Sequence, residues 1–510
     1  MIPYADFPYF QMLLYLLVPS LVLGLFGLLN RGWKTVMIGG LLLAHFSGMH
    51  ALRPGTEVRE LLIVVGYAVY QAMVSLALLK YRGRAMFWSA LGMSILPLAL
   101  AKVLPLIWPQ TSFGFLGISY VTFRCLDVLL SIQDGVIKEL SLSRYMVFVL
   151  FVPTISSGPI DRYRKFVKEF DVPRTRSMFL EDLDAAVPSI ARGFLYKFII
   201  AALIKTHALD PVATGWKVQT VWAYMYAYTF YLFFDFAGYS AFAIGVGRIF
   251  GVKVPENFDK PFLAKNIRDF WNRWHISLSF WFRDHVYMRF LLAASKHKWF
   301  KGRHTSSYVG SFLTFGIMGV WHGLSLHYIL YGLYHAVLLT GYDAFARWNK
   351  EAKRWPASRA MTIANMVLTF HAVAFGLLLF SGRLTPPPPP PIEAVMERAN
   401  AAEITGWFWE AASKETPKKV DLYIDEHYIV RIDANAFRQD LKDRGFGGGS
   451  YGFRFEMPYW VKDGRPHMIE VKDAEGVRSL RGSPMPVQFD RDPEVDRLQK
   501  EKNATPDNPN

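Results

Sequence analysis

The sequence predicts an α-helical polytopic membrane protein followed by a small all-β, sandwich-like C-terminal domain. Three observations carry this: long apolar runs over the first three quarters, a basic excess confined to that part, and a change of periodicity after six consecutive prolines. Hydrophobic residues make up 52% of the 510 residues and aromatic residues 16%. A helix needs about 20 largely apolar residues to cross the hydrocarbon core. Residues 7–29, 61–79, 220–246 and 361–380 qualify or come close, while 37–49, 146–155, 313–320 and 328–342 are shorter. The shorter runs are expected to be tilted, re-entrant or buried in the bundle. The first run lacks a basic n-region and a small-residue cleavage site, so it is expected to stay as a span.

Charge sets the expected topology. Residues 1–384 hold 39 Lys+Arg against 20 Asp+Glu, and residues 385–510 hold 18 against 22. The clusters RGWK, KYRGR, DRYRKFVKEF, KHKWFKGR and RWNKEAKRW fall between apolar runs, which the positive-inside rule places in the cytoplasm. This explains the basic excess without nucleic acid, and such a face also attracts anionic lipid. The N-terminus and the part after the last span are then expected outside. The single cysteine, Cys125, allows no disulfide within the chain and no multi-cysteine metal site.

Residues 1–384 read as the transmembrane domain and 385–400 as a proline-rich linker, with Pro386–Pro391 a stiff polyproline II spacer. Residues 401–490 read as a β-sandwich. VDLYIDEHYIVRID alternates as two strands about a tight turn at Asp425–Glu426, ANAFRQDLKDRG is a short helical or turn insertion, and further short strands follow to 489. Residues 491–510 are polar and expected to be disordered.

The chemistry points to His275, in FWNRWHISLSFWFRDH, and His322, in GIMGVWHGLSLHY. An ionisable side chain at membrane depth is costly and marks a functional site. Imidazole suits proton transfer near neutral pH. A lone buried histidine commonly packs helices together; two, each inside a tryptophan-rich motif, favour chemistry. Trp271, Trp274 and Trp321 are candidates to line a channel, and Asn272, Arg273 and Ser277 to bind substrate or orient His275. Packing is the competing reading for these, and an ion pair for Arg283 and Asp284. Ser156, Ser157, Gly158 and Pro159 form a close turn. Arg162, Arg164 and Lys165 after it are either a basic patch for an acidic partner or a phosphate, which becomes a carrier-docking candidate under the resemblance given below, or simply an anchor of the chain in the membrane. His304, His327 and His335 match no metal-ligand spacing, so no metal is expected. Nothing resembles a Gly-x-Ser-x-Gly nucleophile elbow.

FLGISYVTFR, SIQDG, PTISSGPIDRYRKF, FWNRWHISLSFWFRDH and GVWHGLS together resemble the membrane-bound O-acyltransferase (MBOAT) superfamily, most nearly its D-alanylating, DltB-type branch. His285 departs from that branch, where an aromatic residue such as tyrosine is expected. The resemblance implies a ring of transmembrane and re-entrant helices thinned at its centre, with His322 catalytic and His275 the second family histidine. It implies a donor thioester on the phosphopantetheine of a cytoplasmic acyl carrier protein (or acyl-CoA), no bound cofactor and an extracytoplasmic envelope glycopolymer acceptor. A further extracytoplasmic transfer partner is compatible with it. A neutral imidazole would take the acceptor hydroxyl's proton and return it to the departing thiol; a nucleophilic role stays open. The resemblance thus implies an acyltransferase of the cell (inner) membrane. The alternatives are an O-acetyltransferase of an exported polysaccharide and a non-catalytic scaffold recruiting partners through the β-domain. That domain resembles one found beside bacterial glycosyltransferases, which implies polymer binding or docking; a passive cap is the plainer reading.

Overall fold

The computed structural model describes residues 7–47, 57–108, 113–213, 216–352, 354–355, 358–385, 392–410, 418–444, 446–474, 479–493, 495 and 497. The chain forms two compact units, Met1–Thr385 and Pro386–Asn510.

The first unit is helical. It opens with α1 (Phe7–Leu25), α2 (Arg31–Ser47), α3 (Glu57–Lys80), α4 (Arg84–Ile107) and α5 (Ile118–Gln133). The short α6 (Leu142–Val149) and α7 (Tyr163–Phe170) follow. Next, α8 (Arg176–Phe194) runs on through π-helical turns and the single turn α9 (Ala202–Ile204) as far as Val212. The long α10 (Val218–Ile249) packs along α8 and against α16 (Arg359–Phe380). Between them lie α11 (Ile267–Trp271), α12 (Ile276–Phe282), α13 (Met288–Lys296), and the hairpin α14 (Arg303–His322) and α15 (Leu326–Ala352).

Among the described residues, five helical stretches are long and apolar enough to cross a membrane: Arg59–Lys80, Arg84–Ile107, Arg176–Val212, Val218–Ile249 and Arg359–Phe380. The second and third were absent from the sequence-predicted runs. Pro97, Lys102 and Pro105 interrupt the apolar pattern of one, and Arg192, Lys197 and Lys205 that of the other. Run 146–155 is instead a short helix and a 3₁₀ turn buried in the bundle.

Buried polar side chains hold the irregular backbone between these helices, as a water-poor interior requires. Arg124, fully buried in α5, donates to the carbonyls of Phe148 (3.1 Å), Val149 (3.0 Å) and Thr154, capping chain that has left the helix. Lys34 does the same for Phe170 (3.0 Å) and Val172 (2.8 Å). Two glycines permit the close turn predicted at Ser156–Pro159. A Cβ on Gly158 would lie 2.5 Å from Thr154 Cα, and one on Gly117, at φ +93°, 2.5 Å from the Ile155 carbonyl oxygen.

The second unit is a sandwich of two four-stranded antiparallel sheets. Its strands are β1 (Ile392–Ala399), β2 (Glu403–Glu410), β3 (Lys418–Ile424), β4 (His427–Ala434), β5 (Ala436–Phe437), β6 (Ser450–Glu456), β7 (Pro466–Asp473) and β8 (Met485–Gln488), in sheet orders β1-β2-β6-β5 and β4-β3-β7-β8. Ile404, Phe408 and Phe453 from one sheet and Val420, Leu422, Ile469 and Val471 from the other share one core. Asp425 and Glu426 close the β3–β4 hairpin, both at positive φ (49° and 67°), the geometry that matches strand twist. The insertion after β4 contains the short helix α17 (Gln439–Asp443).

Two sequence assignments change here. Residues 392–399, assigned to the linker, are an edge strand paired with β2. In the supposed tail, Arg491 bridges to Asp463 and Val495 is buried; residues 498–510 and the proline run lie outside the described residues.

Candidate active site

The WNRWH motif turns a corner. α11 ends at Trp271, the chain bends through Asn272–Trp274, and His275 takes a left-handed conformation (φ 44°, ψ 51°) before α12 begins. Such a conformation costs a non-glycine residue about 1–3 kcal/mol and persists only where surroundings enforce it. Asn257 enforces it: its carbonyl accepts the Ile276 N–H (3.0 Å), and its side chain accepts the Ser277 hydroxyl (2.6 Å) while donating to Ser240 (3.1 Å). The Ser277 hydroxyl in turn accepts the Ile160 N–H (2.9 Å). Ser277, expected in the substrate channel, is therefore a joint between the Ser156–Pro159 turn, the 255–259 loop and α12. It lies behind the site because its hydroxyl is already spoken for on both sides.

His322 stands at the last residue of α14, where Gly323 ends the helix. It and His275 line one cavity of about 270 Å³, walled by Trp271, Trp274, Trp321, Tyr331 and Phe380. Among the described residues neither imidazole is held by a protein hydrogen bond, and the Nε2 of His275, itself 5% exposed, is buried without a partner. His322 is more open. Its ring packs against Trp321 (4.4 Å between centroids), Phe380 (4.9 Å) and Tyr328 (5.9 Å). His275 meets Phe236 edge-on at 4.7 Å. The cavity therefore offers ring nitrogens in a largely apolar, aromatic wall, and among the described residues no carboxylate, lysine or arginine lines it.

Two further cavities lie next to this one, each sharing wall residues with its neighbour. A cavity of about 360 Å³ shares Trp271 and Met318 with it and contains Asn272. A larger one, about 990 Å³, shares Arg268, Tyr287, Ser307 and Asp343 with the second and is rimmed by Lys298, His304, Arg347 and Lys350. Asn272 thus lies one chamber away from the histidines, and Trp271 with Met318 forms the partition.

The carrier-docking candidates fare differently from one another. Arg162 is consumed in a network: it donates to Asp127 (2.7 Å) and Asp284 (2.9 Å) and touches His285, whose Nε2 is 3.0 Å from Asp127. Lys165 pairs with Asp161 (3.2 Å) and Glu169 (3.6 Å). Arg164 alone of the three is exposed and without a protein partner among the described residues. None of the three lines these cavities. Arg283 does pair with Asp284 (2.9 Å), and Arg273 with Asp269 (2.8 Å). His335 is buried behind the site, its ring 5.1 Å from Trp271 and 4.6 Å from Tyr331, and His327 packs near Gly382.

Sequence reasoning missed Tyr120, Phe236, Met318, Tyr331 and Phe380 as cavity residues. Tyr120 sits in the FLGISY motif; the others lie in apolar helices where nothing distinguishes a cavity face from a packing face.

The profile of the MBOAT, membrane-bound O-acyltransferase family matches residues 72–381, more than half of the chain. The chain belongs to this family. The teichoic acid D-alanyltransferase of Bacillus subtilis (strain 168) is 46% identical over 397 residues, covering 75% of this chain and 98% of that protein. Its counterpart in Lacticaseibacillus rhamnosus is 38% identical over 405 residues, covering 75% and 97%. A protein named probable alginate O-acetylase from Pseudomonas syringae pv. tomato is 32% identical over 271 residues, covering 52% and 48%. This MBOAT chain is thus a membrane acyltransferase, and His275 and His322 both lie within the matched segment. The match ends at residue 381, ahead of the β-unit.

Proposed function

We propose that the protein moves a D-alanyl group from a carrier-protein thioester on the cytoplasmic face of the cell (inner) membrane to a hydroxyl of an extracytoplasmic envelope glycopolymer, with His322 as general base. The observation that carries this is the shared aromatic cavity of His275 and His322, with two neighbouring cavities beyond it, the outer one bordered by Lys298, Arg347 and Lys350. That rim belongs to the basic segments KHKWFKGR and RWNKEAKRW, which the positive-inside rule assigns to the cytoplasm. A basic mouth suits the phosphate of a phosphopantetheine arm, whether carried on a protein or in acyl-CoA, and an acidic carrier around it. It suits that role better than Arg162 and Lys165, whose charges are already paired.

In this reading the acceptor oxygen attacks the thioester carbonyl as His322 takes its proton. The C–S bond then breaks and the proton passes to the departing sulfur. His275, whose backbone turn Asn257 fixes, orients the substrate. The N-terminus and the β-unit lie outside, where the β-unit binds polymer or a further transfer partner. Two of the relatives above are named as D-alanyltransferases, which favours that donor. The alginate-type relative favours a second reading, acetyl transfer to an exported polysaccharide.

The test is incorporation of labelled D-alanine from a loaded carrier protein into membranes, compared with labelled acetate, for wild type and His322→Ala. Label from D-alanine in wild type alone supports the proposal. Label from acetate alone replaces it with the second reading, and transfer undiminished in His322→Ala removes His322 as the base.

A further inference from the structure

Within the helical unit, Tyr67, Tyr239 and Tyr334 each spend their hydroxyl on the protein. Tyr67 is 2.8 Å from the Thr122 hydroxyl and Tyr239 2.7 Å from that of Ser156, while Tyr334 donates to the Ala372 carbonyl (2.9 Å). Burial demands such pairing, since a hydroxyl taken out of water without a partner costs free energy. The two tyrosines that line the histidine cavity, Tyr120 from α5 and Tyr331 from α15, do not follow suit. Among the described residues neither hydroxyl makes a hydrogen bond. The indole N–H groups of Trp271 and Trp321 in the same wall also lack partners, but the surrounding atoms close them off, and the phenol hydroxyls are not closed off in this way.

Tyr331 is the one set beside His322. It is 3% exposed, and its ring lies closer to His335 (4.6 Å) and Phe380 (5.1 Å) than to His322 (6.2 Å, edge-on). The room beside it is therefore on the His322 side, where the cavity lies. Tyr120 meets Trp321 instead, at 6.1 Å. Two glycines fix the placement of Tyr331. A Cβ on Gly332, the next residue, would collide with the Phe315 carbonyl oxygen, and one on Gly319 would lie 2.6 Å from the Tyr328 carbonyl oxygen. α14 and α15 thus touch backbone to backbone just where one carries His322 and the other Tyr331.

Acyl transfer makes a demand on this wall. As the acceptor oxygen bonds to the thioester carbonyl carbon, the C=O electron pair moves onto the carbonyl oxygen. In a largely apolar cavity that charge needs a donor already in place. We infer that the Tyr331 hydroxyl is this donor, a catalytic group that hydrogen-bonds the carbonyl oxygen of the acyl group opposite His322. The phenol keeps its own proton throughout. His322 holds the acceptor's proton while the oxyanion exists, then passes it to the sulfur as the C=O bond re-forms and the C–S bond breaks. This role rests on the acyl-transfer reading with His322 as base, and holds for a D-alanyl or an acetyl donor alike.

Tyr331→Phe tests it, because it keeps the ring and removes only the hydroxyl. The full chain is assayed in membranes with labelled D-alanyl or acetyl thioester, whichever the wild type uses. For Tyr331→Phe, kcat should fall about 10²–10³-fold. KM for the donor should stay within about twofold and the unfolding temperature should hold, since no protein hydrogen bond is lost. Tyr334→Phe should do the reverse, lowering the unfolding temperature through its lost bond to Ala372 while kcat holds. Wild-type kcat in Tyr331→Phe, or a loss of activity matched by a loss of stability, would overturn the assignment. A drop of that size in Tyr120→Phe, with Tyr331→Phe active, would move the donor to the opposite wall. His322→Ala measured alongside keeps the two levels apart. Undiminished transfer there removes the base and this inference with it, whereas an inactive His322→Ala beside a fully active Tyr331→Phe removes the oxyanion donor alone.

Discussion

His467 in the β-unit and His322 in the membrane unit carry the same ring in opposite surroundings. His467 is clamped on both sides, Nδ1 2.6 Å from Asp425 and Nε2 3.1 Å from Asp463. Both ring nitrogens face carboxylate acceptors there, which favours the protonated ring and makes it a structural tie between the β3–β4 turn and the loop before β7. His322 has aromatic rings around it and no protein hydrogen bond among the described residues. Its nitrogens are left for a substrate. A satisfied imidazole stabilises a fold, and an unsatisfied one in an apolar cavity is available for proton transfer.

The sharpest way to break this contrast is to remove the free ring. His322→Ala should lower acyl transfer by about 10²–10⁴-fold with little change in thermal unfolding, since it deletes no protein hydrogen bond. A loss of stability comparable to the loss of activity would make His322 structural after all.

The next effect lies behind the cavity, where the polar groups are satisfied. Asp127→Ala removes a 3% exposed carboxylate that accepts from Arg162, His285 and the Tyr163 N–H (3.1 Å). Stranding those groups should cost about 3–5 kcal/mol, seen as a large drop in unfolding temperature in detergent. An unchanged unfolding temperature would show that the network is not holding α5 to the Arg162 loop.

Ser277→Ala should cost less, about 1–3 kcal/mol, because the Asn257 amide and the Ile160 N–H lose one shared partner. Activity should fall only through the loosened left-handed turn at His275. A lowered affinity for the donor with unaltered stability would return Ser277 to the substrate channel.

The smallest effect belongs to His467. Burial alone would lower its pKa, but the hydrogen bonds to Asp425 and Asp463 outweigh it, and the ring's pKa is raised above the ordinary imidazole value. Asp425 is held low in turn, first by the Met468 N–H (2.8 Å) and then by His467. A raised folded-state pKa contributes stability that is fully present below the unfolded value and lost as pH rises through the folded one. Protease cleavage within residues 418–489 of the full chain should therefore rise with pH across the neutral range in wild type. In His467→Gln it should be higher and flat with pH. A flat profile in wild type would mean the clamp contributes nothing to local stability.

Legibility from sequence followed the same divide between patterned and unpatterned chemistry. The Trp-flanked histidines stood out because imidazole is rare in apolar sequence, and the β3–β4 hairpin because alternation and two turn residues mark it. Span Arg84–Ile107 did not, since Pro97, Lys102 and Pro105 break the apolar run that marks a crossing helix. Strand β1 was hidden by the prolines beside it, being an edge strand recognisable only through its pairing with β2. Ser277 and Arg162 looked available because sequence shows a polar group but not its partners.

By itself the sequence determined the fold class, the apolar setting of His275 and His322 and the surplus of positive charge around the membrane helices, because composition and periodicity dictate which segments leave water. Only the tertiary structure decided that the two histidines, 47 residues apart, open on one cavity. It also decided that Asn272 lies in the next chamber and Ser277 behind the wall. Those assignments rest on which hydrogen-bonding atoms find partners across elements far apart in the chain, and that pairing exists only once the helices are packed.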